Sequence, residues 1–194
     1  FILLVIESIV NKSSNFKDNV DLLWFPTGGG KTEAYLGVTA FTLFYNRLKD
    51  SSNDGVQALM RYTLRLLTAQ QFERASKLIV CMENIRAKNS EKFGIKEFSI
   101  GIWVGKDVTP NTINKAKESY DDMLYHNADP SKYKFLLQAC PFCRAQIGPI
   151  SYQQAKQNML FLDKSYRPLR ILGVHKGEKG IKLHCPDKLC EFNK

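Results

Sequence analysis

A glycine-rich segment followed by lysine and threonine constrains the fold of this chain more than any other feature. Residues 25–32 read Phe-Pro-Thr-Gly-Gly-Gly-Lys-Thr, between an apolar run at 21–25 and helical spacing of apolar residues over 32–48. This strand–loop–helix order is the context that a phosphate-binding loop requires. Glycines let successive backbone N–H groups point into one concavity at a helix N-terminus, where they bind anions. The pattern predicts a P-loop, and a glycine-rich turn without a ligand is the alternative.

We expect this loop to bind ATP through its backbone and two side chains. Lys31 supplies a positive charge for the β- and γ-phosphates, and the Thr32 hydroxyl is suited to ligate Mg²⁺. Phe25 stands where the strict motif has glycine, so the segment matches the variant x-x-T-G-x-G-K-T. The predicted ATP-binding residues are Thr27, Gly28, Gly29, Gly30, Lys31 and Thr32.

Apolar segments and helical patterns continue to alternate after the loop. Apolar runs at 56–62 and 98–104 predict two further strands. Helical spacing over 63–87, and a proline-marked start at 109–110, predict two further helices. Alternation of strand and helix is typical of a parallel sheet covered on both faces, so the predicted fold class is α/β.

Four of the five cysteines fall in two close pairs that predict a zinc site. Residues 140–143 read Cys-Pro-Phe-Cys, and residues 185–190 read Cys-Pro-Asp-Lys-Leu-Cys. With no secretory signal, such spacing indicates metal binding rather than disulfides, and four thiolates form a closed structural Zn²⁺ site. His175 and His184 are alternative ligands, but His184 next to a cysteine on a strand would point to the opposite face. Buried or oxidised thiols are the other alternative. The predicted ligands are Cys140, Cys143, Cys185 and Cys190.

The basic excess of the chain lies largely in its last quarter. The net charge is +9, and residues 140–194 contain ten basic and four acidic residues. Long helical patterns also end near residue 139, so residues 140–194 are predicted to form a small zinc-ribbon-like insertion module. A positive field of this kind favours a polyanion such as nucleic acid. A solvated lysine-rich surface is the alternative.

The variant P-loop resembles motif I of superfamily 2 helicases and translocases. Residues 63–70 resemble motif Ia, usually Pro-Thr-Arg-x-Leu-x-x-Gln, although threonine and leucine replace its first two residues. Residues 103–111 are similar to downstream glycine and Thr-Pro elements. The resemblance implies that residues 1–139 are the N-terminal part of a RecA-like ATP-binding lobe, with nucleic-acid contacts nearby. The implied contacts are Thr63, Arg65, Gln70, Gly105 and Lys106.

Two longer strings narrow the resemblance. Residues 22–35 and 60–72 resemble the helicase-like subunit of DISARM anti-phage systems, the DrmA family, and the likeness covers most of residues 20–192. It implies a cytoplasmic, ATP-driven translocase, acting on DNA rather than RNA, with protein partners in bacterial phage defence. No apolar run is long enough to span a bilayer, so no membrane partner is expected. A different P-loop enzyme, such as a nucleotide kinase, and a non-enzymatic zinc-ribbon module that binds nucleic acid remain as alternatives.

ATP hydrolysis in this superfamily needs a second motif, Asp-Glu, which this chain lacks. Asp163 ends an apolar run but is followed by Lys164. We expect the motif and the second motor lobe to lie beyond residue 194. The chain alone is therefore predicted to bind nucleotide without hydrolysing it, and none of its residues is expected to be catalytic.

Overall fold

The computed structural model describes residues 2–24, 26, 28–62, 65–106, 108–125, 133–157 and 171–193. These residues form a mixed α/β structure with helices and two small antiparallel sheets. The chain divides into two compact units. The P-loop unit comprises residues 1–64 and 74–100, and the cysteine unit comprises residues 65–73 and 101–194.

Helices supply the regular structure of the first hundred residues. They are α1 (Ile2–Val10), α2 (Lys31–Lys49), α3 (Arg65–Lys88) and α4 (Ser90–Phe93). The helices predicted over 32–48 and 63–87 are confirmed to within two residues at each end. None of the described helices is long and apolar enough to cross a membrane.

The described core of the P-loop unit lies between α2, α3 and the segment after α4. Leu43, Ile79, Met82 and Phe98 are buried together. The ring of Phe44 packs edge-on against Phe98 at 5.3 Å between centroids. Apolar burial therefore joins two helices to one point of the following loop.

A buried arginine anchors that loop. The Arg47 side chain is 5% exposed, and its Nη1 donates to the carbonyls of Phe93 (3.0 Å) and Lys96 (2.8 Å). Its guanidinium also lies 5.1 Å from the centre of the Phe98 ring. Because a buried carbonyl without a partner costs about 1–3 kcal/mol, this arginine is a structural anchor.

A second buried arginine holds the same loop through an acidic partner. Arg86 donates to Glu83 at 2.8 and 2.6 Å and to the carbonyl of Gly94 at 2.7 Å. Glu83 also accepts the Phe98 N–H at 2.8 Å. Burial acts to raise the pKa of Glu83, but the bonds from Arg86 and the Phe98 N–H outweigh it and hold that pKa below its usual value.

The predicted parallel sheet does not occur among the described residues. The runs at 21–24, 56–62 and 98–104 form no strand there. Many of their large apolar side chains lie in solvent, with Trp24 86%, Leu59 82% and Trp103 99% exposed, although Phe98 is buried. A strand of this kind needs ladder partners and covering helices to bury both faces. These runs have no ladder partners in the described part of the chain, which explains the difference from the predicted strands.

The cysteine unit combines one helix with short strands. Its elements after α3 are α5 (Ile113–Tyr125), β1 (Gly148–Pro149), α6 (Tyr152–Gln157), β2 (Ile171–Leu172), β3 (Val174–Gly177) and β4 (Gly180–Leu183). Strand β1 pairs antiparallel with β2, and β3 with β4. Residues 177–180 read Gly-Glu-Lys-Gly between the segments 170–176 and 181–184, a pattern that predicts a hairpin turn, and this hairpin is confirmed. The unit also includes residues 101–139, which the sequence assigns to the nucleotide-binding lobe.

Candidate metal centre

The cysteine unit brings all four predicted zinc ligands to one place. The sulfur atoms of Cys140, Cys143, Cys185 and Cys190 lie within 4.8 Å of one another. The other cysteine, Cys81, is not in this group. No other group of three or more possible metal ligands occurs among the described residues.

The spacing of the sulfur atoms fits one tetrahedral ion and excludes disulfides. The Sγ atoms of Cys143 and Cys185 are 3.4 Å apart, and those of Cys140 and Cys190 are 4.0 Å apart. Four Zn–S bonds of about 2.3 Å separate neighbouring sulfurs by about 3.8 Å, whereas a disulfide requires about 2.05 Å. With all four positions filled by sulfur, the centre has no open site for a reacting water.

The first pair lies in a tight turn closed by backbone hydrogen bonds. The N–H of Cys140 donates to the Ala145 carbonyl (2.8 Å), and the N–H of Arg144 donates to the Cys140 carbonyl (3.0 Å). Arg144 has a φ of 70°, a left-handed conformation that favours glycine. Its side chain pairs with Glu73 of α3, in the same unit. The turn therefore places both thiols on one side while Arg144 takes the strained position.

The second pair is positioned by two polar side chains that the sequence reasoning missed. The Asp187 carboxylate accepts the Leu189 N–H at 2.9 Å, which closes an Asx turn between the cysteines. The Asn193 amide donates to the Cys185 carbonyl at 2.6 Å. The sequence Cys-Pro-Asp at 185–187, with aspartate two residues after the cysteine, is the signal that could have predicted the turn. The four residues between Cys185 and Cys190 are thus held by hydrogen bonds, as are the residues of the shorter first pair.

Three of the four thiols are also part of the apolar core. Cys140, Cys185 and Cys190 are buried in one cluster with Met123 of α5 and Val174 of β3. Other buried members of the cluster are Ile147 and Ile171. Three of the four candidate metal ligands therefore also belong to the hydrophobic core of this unit.

The surroundings of the thiols shift their pKa values in different directions. At Cys140 burial acts to raise the pKa, but hydrogen bonds from the N–H groups of Cys143 and Phe142 outweigh it and keep the pKa below its usual value. Burial is the main cause that raises the pKa of Cys185 and of Cys190. A bound cation would favour the thiolate at every ligand, since Zn²⁺ binds deprotonated sulfur.

The two histidines considered as alternative ligands pair with each other instead. His175 and His184 approach at 3.2 Å between their Nε2 atoms, and neither is in the cysteine group. Burial lowers the pKa of His184, and nearby His175 lowers it further.

The described P-loop residues lie directly before α2. Gly28 and Gly30 have left-handed φ angles of 87° and 79°, and Gly30 is the N-cap of the helix. The Gly29 N–H donates to the Pro26 carbonyl at 3.0 Å. The Lys31 ammonium donates to the same carbonyl at 3.1 Å. Two of the three glycines thus take the left-handed positions of the turn before α2.

The remaining predicted contacts are distributed over both units. Thr32 lies in the first turn of α2, in the P-loop unit. Arg65 and Gln70 lie in the first two turns of α3, and Gly105 and Lys106 are exposed before α5, all in the cysteine unit. Five residues named in the sequence analysis lie outside the described residues: Phe25, Thr27, Thr63, Asp163 and Lys164.

Comparison with known proteins gives one informative match. No protein-family model matches the chain, and no solved structure matches it. The chain is 40% identical over 202 residues to DISARM protein DrmA of Bacillus paralicheniformis. The match covers 100% of this chain and 16% of the length of that protein. Along its whole length the chain is therefore similar to a segment of DISARM protein DrmA, which confirms the resemblance predicted from the sequence.

Proposed function

We propose that this chain is part of a superfamily 2 helicase-like ATPase that moves along DNA in bacterial anti-phage defence. The observation that carries the proposal is the 40% identity to DISARM protein DrmA over the whole chain. In this proposal residues 1–139 belong to a RecA-like nucleotide-binding lobe and residues 140–194 to a zinc-binding insertion. The protein would act in the cytoplasm with protein partners of a defence complex.

The P-loop would bind ATP through groups that the chain already positions. An added Cβ at Gly28 would meet no atom within 4 Å, so the space on that side of this glycine is open. The Lys31 ammonium would exchange the Pro26 carbonyl for phosphate oxygens, and Thr32 at the helix start would ligate Mg²⁺. The positive end of the α2 dipole adds to the attraction. ATP supplies the free energy that drives movement; these residues orient its phosphates.

An ion pair keeps an acidic side chain beside the loop neutralised. Glu33, two residues after Lys31, is the nearest side chain to an added Cβ at Gly30, at 4.0 Å. Its carboxylate pairs with Arg74 of α3, within the P-loop unit. An unpaired carboxylate at that place would repel the phosphates of ATP. Arg74 would therefore favour nucleotide binding indirectly, by holding the charge of Glu33.

Calorimetry with Mg-ATP on the natively expressed protein tests the proposed nucleotide site. Replacing Lys31 by alanine should weaken binding by about tenfold or more, since a charge-assisted hydrogen bond contributes about 1.5–3 kcal/mol. Lys49→Ala, at the other end of the same helix, is the matched control and should bind as the unchanged protein does. Equal affinities of the unchanged and Lys31→Ala proteins would contradict the proposed site.

The basic excess of residues 140–194 favours one alternative, a zinc-ribbon module that binds nucleic acid without using ATP. The two functions differ in how DNA affinity responds to nucleotide. A motor should bind DNA with an affinity that changes when Mg-ATP is added, whereas a passive module should not respond. In both cases binding should weaken steeply with salt, because phosphate contacts release counterions.

A further inference from the structure

The hairpin β3–β4 carries a histidine pair that neither the cysteine centre nor the proposed function uses. The Nε2 atoms of His175 and His184 are 3.2 Å apart, and the ring centres are 4.2 Å apart. His175 is exposed and His184 is partly exposed. Both rings can therefore be reached from solvent.

Strand register explains why the two rings meet. His175 is opposite Lys182, and the His184 N–H donates to the Gly173 carbonyl at 2.9 Å, so pairing continues beyond the end of β4. His184 then follows Lys182 by two residues on the same face, diagonal to His175, within reach for long side chains. Gly173 permits this close approach, because a Cβ there would collide with the His184 carbonyl.

We propose that His175 and His184 bind one divalent transition-metal ion through their Nε2 atoms, at a site separate from the four cysteines. Metal–nitrogen bonds of about 2.0–2.1 Å place two ligand atoms about 2.9 Å apart at a right angle and about 3.4 Å apart at a tetrahedral angle. The observed 3.2 Å lies between these values. Imidazole suits Zn²⁺, Ni²⁺ and Cu²⁺, and water would complete the coordination.

Two features of the hairpin bear on the strength of the site. Lys182 lies on the same face, opposite His175, and its positive charge opposes a cation there. The histidines are also close enough for one ring to donate an N–H to the other, which offers the pair a metal-free arrangement. The site is accordingly expected to be weaker than a four-ligand centre, and to strengthen when Lys182 loses its charge.

The test is Ni²⁺ binding to untagged, natively expressed protein whose cysteines are already loaded with zinc. Calorimetry should show one Ni²⁺ site that His175→Ala weakens by about tenfold or more, because loss of even an outer partner of a ligand costs about 10–100-fold. Zinc content, measured by elemental analysis, should remain unchanged, which shows both an intact fold and an untouched cysteine centre. Lys182→Gln should strengthen the same binding.

Two further variants keep the result decisive. His175→Gln retains a hydrogen-bonding side chain but removes the imidazole ligand, so it should lose the Ni²⁺ site even if the alanine variant folds poorly. His126→Ala removes the third histidine of the chain and should bind Ni²⁺ as the unchanged protein does. Equal Ni²⁺ affinity in the unchanged, His175→Ala and His175→Gln proteins would overturn the proposal. So would Ni²⁺ uptake accompanied by release of zinc from the cysteines. Neither outcome bears on ATP binding at the P-loop.

Discussion

The buried core cluster of the cysteine unit combines residues from a helix, two short sheets and both cysteine turns, whereas the core cluster of the P-loop unit combines residues from two helices and one loop. In the cysteine unit, three of the four cysteines are buried together with apolar side chains. In the P-loop unit, Trp24 and Leu59 lie in solvent although their segments are apolar. The difference teaches that convergent ligands can organise short strands locally. Apolar runs suited to a sheet interior form no strand where other strands do not pair with them.

The difference between the two units depends most on the metal, and Cys185→Ser is the substitution that should remove it. We expect this variant to lose zinc and the packing of its unit, since structural zinc contributes about 10 kcal/mol or more to the folding of small domains. Elemental analysis and hydrogen exchange of the β3–β4 hairpin measure the two effects. Cys81→Ser should retain one zinc per chain. A Cys185→Ser protein with no metal and native protection of the hairpin would show that the unit folds without an ion.

A polar anchor in the P-loop unit gives the next largest effect. Arg47→Ala should reduce the free energy of unfolding of that unit by about 2–4 kcal/mol, because it leaves two carbonyls without a donor. Chemical denaturation followed by hydrogen exchange at residues 93–98 measures the loss. Arg47→Lys should lose less, because it keeps the positive charge and one nitrogen that can donate to a carbonyl. Zinc content should not change in either variant. A variant as stable as the unchanged protein would refute the anchor.

The smallest expected effect is a pH dependence of stability in the P-loop unit, which comes from Glu83. The pKa of Glu83 is lower in the folded protein than its usual value near 4.5, so folding favours the ionised carboxylate. This contribution is fully present above the usual pKa and is lost as the pH falls through the lower folded value. The difference in unfolding free energy between the unchanged protein and Glu83→Gln should therefore shrink between pH 7 and pH 3. A constant difference for Glu83→Gln across this pH range would contradict the assignment.

Local patterns were sufficient for the helices, the hairpin and the gathering of the cysteines. Apolar spacing placed α2 and α3 because a helix is specified by neighbours three and four residues apart. The Cys-Pro pairs indicated a common site because the turn within each pair already aims its two thiols together.

Features that depend on distant partners could not be predicted in the same way. The sequence does not show that Arg47 reaches carbonyls more than forty residues away, or that His175 meets His184 rather than a metal-ligand cysteine. The predicted strands do not form among the described residues. A strand depends on pairing partners elsewhere in the protein, and the strand's own sequence does not specify those partners. The ATP-binding and nucleic-acid contacts stay predictions, because they concern molecules that bind the chain.

The burial of three sulfurs inside the apolar cluster has a consequence for the living cell. A newly synthesised chain without zinc would expose the apolar residues that pack around those sulfurs. Quality-control proteases degrade chains that expose such residues. Zinc limitation should therefore lower the cellular concentration of this protein, while each remaining molecule is folded and contains zinc.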